Sequence, residues 1–98
     1  MQKRLASLSK RVINTYGTDV QIEMAIEEMA ELTLALQHLK RGRSHNCPEE
    51  VADVLITVNQ LRLIFDPSTI DKFIAQKLDR LEASIDSHTR KVPPNENP

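Results

Sequence analysis

Ile22-Glu23-Met24-Ala25-Ile26-Glu27-Glu28-Met29-Ala30-Glu31-Leu32, answered downstream by Glu50-Val51-Ala52-Asp53-Val54-Leu55, is the stretch that decides the fold. Apolar residues recur three and four apart in both segments, which is the period of an amphipathic helix. Glu28 with Glu31, and Glu50 with Asp53, are each three apart, so each pair projects from one helix face. On a wheel of about 100° per residue the expected apolar stripe of the first segment is Ile22, Ala25, Ile26, Met29, Leu32, Leu36 and Leu39. Glu28 then lies roughly 80° and Glu31 roughly 140° to one side of it. In the second segment Val51, Val54, Leu55, Val58, Leu61 and Phe65 form the expected stripe, with Glu50 roughly 70° and Asp53 roughly 130° off on the matching side. Antiparallel packing of the two stripes brings the carboxylate pairs face to face. Two like charges about 5.5 Å apart repel by roughly 3 kcal/mol at an effective dielectric of 20. A cluster of four therefore calls for cations, and hard carboxylate oxygens suit Mg²⁺ or Mn²⁺.

At these residues the chain resembles the MazG-type all-α nucleoside triphosphate pyrophosphatases, whose signature is a Glu-Glu-x-x-Glu on one helix and a Glu-x-x-Asp on the next. Here it reads Glu27-Glu28-Met29-Ala30-Glu31 and Glu50-Val51-Ala52-Asp53, and the likeness runs over roughly residues 15–85. The resemblance implies that Glu28, Glu31, Glu50 and Asp53 are catalytic Mg²⁺ ligands, with Glu27 supporting them from behind. It also implies Mg²⁺-dependent hydrolysis of a nucleoside triphosphate (NTP or dNTP) to the monophosphate and pyrophosphate. The fold expected with it is an oligomeric four-helix bundle. Longer members of the family carry an Asn about two turns after the motif Asp. This chain departs there, with Gln60 at that place and Asn59 turned away from the acidic side, which leaves base and sugar recognition open.

Length and composition agree with a small globular domain. Ninety-eight residues make one limited core that gains from a partner subunit, hence an expected homodimer or homotetramer. The chain is 40% apolar and 28% charged, with a net charge of −1. Such a balance offers nucleic acid no general attraction, and there is no apolar run of membrane-spanning length. Met1-Gln2-Lys3-Arg4 is basic but leads straight into an amphipathic helix, without a signal-peptide core. The single cysteine, Cys47, has no internal disulfide partner, and a cytoplasmic location is expected.

Four helices are predicted, all within one domain over residues 1–91. The first, from about residue 2 to 15, has Leu5, Leu8, Val12 and Ile13 inward and stops near Gly17. Thr18 with Gln21 reads as a capping box opening the second, which closes at Gly42. Pro48 suits the first turn of the third, which ends near Phe65, and Asp66-Pro67-Ser68 opens the fourth. Residues 92–98, with their prolines, read as a disordered tail. With only two glycines and no phosphate-binding glycine loop, phosphate has to be held by metals and side chains.

On the fourth helix Lys77 falls inside the apolar stripe between Phe73 and Leu81, with Arg80 about 60° away. A cation so placed either snorkels along the bundle or meets substrate phosphate. His38, His45 and Cys47 fit no common zinc spacing, and the aromatics Tyr16, Phe65 and Phe73 suit a core, with Tyr16 the best base-stacking candidate. No Glu-x-x-His of the carboxylate-bridged di-iron type occurs. Two alternatives to the triphosphate pyrophosphohydrolase remain at this level: a phosphoribosyl-ATP pyrophosphohydrolase-like enzyme, and a non-catalytic helical metal-binding or interaction module.

Overall fold

The computed structural model describes residues 2–91, in four helices: α1 Gln2–Tyr16, α2 Thr18–Lys40, α3 Cys47–Phe65 and α4 Pro67–Lys91. There is no strand among the described residues, so the all-α expectation holds. The proposed disordered tail, residues 92–98, lies outside the described residues. Compactness divides the chain after Asp66 into a first unit holding α1, α2 and α3 and a second holding α4.

The breaks between helices follow from local chemistry. Gly17 separates α1 from α2 at φ 94°, a left-handed conformation that side chains avoid, and its N–H closes α1 by donating to the Ile13 carbonyl at 2.8 Å. Gly17, not Thr18, is the N-cap of α2, and no side chain caps that end. The expected Thr18–Gln21 capping box is therefore corrected: Thr18 is already helical, and Gln21 is buried instead of reaching back. At the other end of α2 Gly42 takes φ 70°. There the Arg43 N–H donates to the His38 carbonyl at 2.9 Å and the Gly42 N–H to the Leu39 carbonyl at 3.1 Å, the paired bonds of a Schellman close.

Within the first unit α2 and α3 pack most extensively on each other, and α1 lies against both. The packed faces are only in part those the apolar periodicity predicts: Ala25 is buried and Ile22, Leu32, Val54 and Leu61 are half-buried, but the rest of the two stripes is exposed. On α2 the inward residues are Gln21, Ala25 and Ala35, with Glu28 and Leu32 half-buried. On α3 they are Cys47, Glu50, Thr57 and Gln60, with Asp53 and Val54 half-buried. Each helix is thus rolled by roughly 60 to 80° toward its acids. Ile26 and Leu55, placed in the stripes above, are 59% and 62% exposed. Both helices carry enough apolar residues to read as inward on either side, and the small side chains Ala25, Ala35 and Thr57 allow the close approach that decides between them. α1 shows the same exchange on a smaller scale. Leu5, Val12 and Ile13 are half-buried, but Leu8 is exposed while Ser9 is buried, its hydroxyl accepting a 2.9 Å hydrogen bond from Asn59 Nδ2 of α3.

In the second unit, Phe73, Ile74, Leu78, Leu81 and Ile85 recur at helical spacing along α4, and all are exposed. No helix among the described residues is long and apolar enough to cross a membrane.

Candidate metal centre

Rolling α2 and α3 toward their acids places carboxylates where a core would ordinarily be. Carboxylate oxygens of Glu28, Glu31 and Glu50 lie within 4.8 Å of one another, and among the described residues this is the one group of three or more acidic, His or Cys side chains so close. Glu31 approaches Glu50 while Glu28 and Asp53 line one cavity, so α2 and α3 run antiparallel. Glu50 is 7% exposed, Glu28 is half-buried and Glu31 is exposed, so the group opens to solvent on the Glu31 side. Glu28 Oε2 and Glu50 Oε2 are shut off from solvent with no hydrogen-bond partner in the protein.

The electrostatics record the crowding. The Glu28 carboxyl is raised above its ordinary pKa, first by burial and then by the charges of Glu31, Asp53, Glu50 and Glu27. Glu31 is raised chiefly by the charge of Glu50, with desolvation next and the nearness of the Glu50 side chain after that. Every charge acting on Glu28 and Glu31 is that of another acid. Buried charges without a counter-charge are costly. A small divalent cation would answer both deficits. Oxygens about 2.1 Å from an octahedral Mg²⁺ stand about 3 to 4 Å from one another. The three present fall within 4.8 Å, and all are hard carboxylate donors.

Asp53, the fourth expected ligand, stands beside this triad and lines, with Glu28, a cavity of about 440 Å³. Tyr16 and Val20 at the α1–α2 junction, Met24 of α2 and Ile56 of α3 give the cavity a largely apolar wall, into which Gln21, Thr57 and Gln60 bring polar groups. Gln60 is buried with its Oε1 unpartnered by protein. Tyr16, singled out above for stacking, is on this wall, and Glu27 is exposed beside the cluster. Lys77 and Arg80 stand exposed on α4, in the second unit, whereas the acidic group is built entirely by the first.

Sequence reasoning missed Asn46. Its Nδ2 donates a 2.8 Å hydrogen bond to Glu50 Oε1 from one turn upstream. An Asn four residues before a motif carboxylate, just ahead of a proline, was the signal available. His45 and Cys47, weighed above for zinc, meet in another way: the Cys47 N–H donates to His45 Nδ1 at 3.3 Å. Comparison with protein-family models, with curated proteins and with solved structures returned no match, so the likeness to MazG-type enzymes stands on the motif residues alone.

Proposed function

We propose that the chain is a Mg²⁺-dependent nucleoside triphosphate pyrophosphohydrolase, a MazG-like enzyme that works as a homodimer or homotetramer. The observation that carries this reading is the pair of buried, unpartnered oxygens, Glu28 Oε2 and Glu50 Oε2, within a triad that opens beside a cavity able to take a nucleoside. Glu28, Glu31 and Glu50 hold the cation, and Asp53 adds a fourth carboxylate at the cavity edge. When bound, the cation supplies charge stabilisation to phosphoryl oxygens and lowers the pKa of a water. Gln21, Gln60 and Tyr16 orient the nucleoside, so that the α-phosphorus lies at the carboxylates and water adds there as the bond to the departing pyrophosphate breaks.

The exposed faces support the oligomer. Ile26, Met29 and Leu36 on α2, Val51, Leu55 and Val58 on α3, and the stripe of α4 are large apolar side chains left exposed, and contiguous apolar surface of this kind marks interaction faces. A nucleotide substrate fits the expected cytoplasmic location.

The deciding experiment is a panel of ribo- and deoxyribonucleoside triphosphates, with phosphoribosyl-ATP included, incubated with Mg²⁺ and assayed for pyrophosphate. Pyrophosphate with the matching monophosphate from at least one substrate is expected. Orthophosphate as the product overturns the reaction class. Silence across the panel, with cation binding intact, leaves the chain a metal-binding module.

A further inference from the structure

The N-terminus of α3 is built so that its capping residue is free for another task. Asn46 occupies the N-cap position, where an Asn side chain ordinarily accepts a hydrogen bond from the N–H two or three residues on. Here it makes no such bond. One of the two usual donors is missing, because the second helical residue is Pro48, which has no N–H. The first helical N–H, of Cys47, is taken by His45 Nδ1. The Asn46 carboxamide points along the helix instead and donates to Glu50 Oε1 at 2.8 Å, while the Asn46 carbonyl accepts the Glu50 N–H at 3.1 Å. Glu50 is thus held at both its backbone and its carboxylate by one residue.

We propose that Asn46 is a positioning residue for the cation site, fixing the Glu50 carboxylate so that one oxygen is tied and the other stays available within the acidic cluster. The inference rests on the cation-binding reading above. A carboxylate can only accept, so the donor must be the Asn46 Nδ2 group, and an Asp at this position, equally good as a cap, places a second negative charge against Glu50. Glutamate has three side-chain torsions, and ordering it costs conformational entropy that a cation otherwise has to overcome on binding. The tie removes that cost in advance, as partners of metal ligands commonly do.

The test is isothermal titration of the metal-stripped protein with Mn²⁺, with melting followed in parallel. Asn46→Ser puts at the N-cap position a residue equally suited to it but too short to reach Glu50, so the helical fold should hold while Mn²⁺ affinity falls about 10- to 100-fold. Glu50→Gln lowers affinity in its own right, and adding Asn46→Ser to it should cost nothing more, because the residue acted through is already lost. Wild-type affinity in Asn46→Ser, or an equal further loss in the double variant, overturns the positioning role while leaving the cation site standing. Failure of the wild-type chain to bind Mn²⁺ removes the cation site itself, and this inference with it.

Discussion

The two sides of α2 reverse the usual order of a globular protein. Its inner side is small and polar, with Gln21, Ala25, Glu28 and Ala35, and its outer side is large and apolar, with Ile26, Met29 and Leu36. α3 repeats the pattern, Glu50, Thr57 and Gln60 inside against Val51, Leu55 and Val58 outside. Buried polar groups and exposed large apolar ones are the informative departures from ordinary burial. Together they set a polar seam inside the unit against large apolar faces outside it. The inner seam and the outer faces are therefore separable, and each can be attacked without touching the other.

The largest effect should come from the seam. Glu50→Gln keeps size and shape and removes one charge, so helicity survives while Mg²⁺-dependent pyrophosphate release falls by roughly a hundredfold or more, a loss of several kcal/mol of transition-state stabilisation. Wild-type turnover in this variant ends the ligand assignment. On the outer faces, Ile26→Lys with Leu55→Lys places cations that a second copy seated there would have to bury unpaired, at a cost of several kcal/mol. Sedimentation should then find a smaller species at concentrations where the wild type is assembled, with the acidic site intact. An unchanged sedimentation profile assigns these faces to solvent.

Smaller, and thermodynamic, is the answer of the seam to metal. Mg²⁺ at about 100 times its dissociation constant adds roughly 2.7 kcal/mol to a folded state that alone binds it. For a domain of this size that is on the order of 10 °C in melting temperature at fixed protein concentration. Glu28→Gln with Asp53→Asn should melt above the wild type without metal and respond weakly to it. Equal gains in both proteins would mean that these carboxylates are not where the cation acts.

The smallest effect is with pH. Glu28 and Glu31 are both raised in the folded chain, chiefly by burial for Glu28 and by the charge of Glu50 for Glu31. A raised acid holds its proton more tightly folded than unfolded, so between the two pKa values stability falls as pH rises. The metal-free wild type should accordingly melt below a Glu28→Gln, Glu31→Gln variant at about pH 7, and the gap should narrow as pH falls toward the ordinary glutamate range. A gap that stays constant over that range refutes the assigned charge coupling.

Much of this fold was legible in the chain. Gly17, Gly42, Pro48 and Asp66-Pro67 mark the helix ends to within about a residue, because each acts through its own backbone geometry. The pairing of Glu28 and Glu31 with Glu50 was legible because spacing three apart fixes a face whatever the partner. The roll of α2 and α3 was not. Periodicity weighs apolar bulk, and here close packing of Ala25, Ala35 and Thr57 outweighs it. The Ser9–Asn59 bond is a tertiary pairing across helices that no local pattern encodes. The Asn46–Glu50 tie is local, but it depends on Pro48 withdrawing a donor, a link that becomes visible only once the cap is seen to be idle.

Two usable sides on each helix also bear on how the chain reaches its native state. The α2–α3 hairpin is joined by a short connection over residues 41–46 and forms from local contacts, so it should assemble early. It then has two ways to mate. Without cations, acid-out mating relieves the repulsion among Glu28, Glu31, Glu50 and Asp53 and buries Ile26 and Leu55 within one chain. This is a conflict between local packing and the final fold, the kind that slows a folding search. A divalent cation bound at the seam would favour acid-in mating by neutralising it, and a second copy seated on the outer faces would favour it by covering them. Refolding yield, and not stability alone, should therefore depend on the order in which metal and partner arrive.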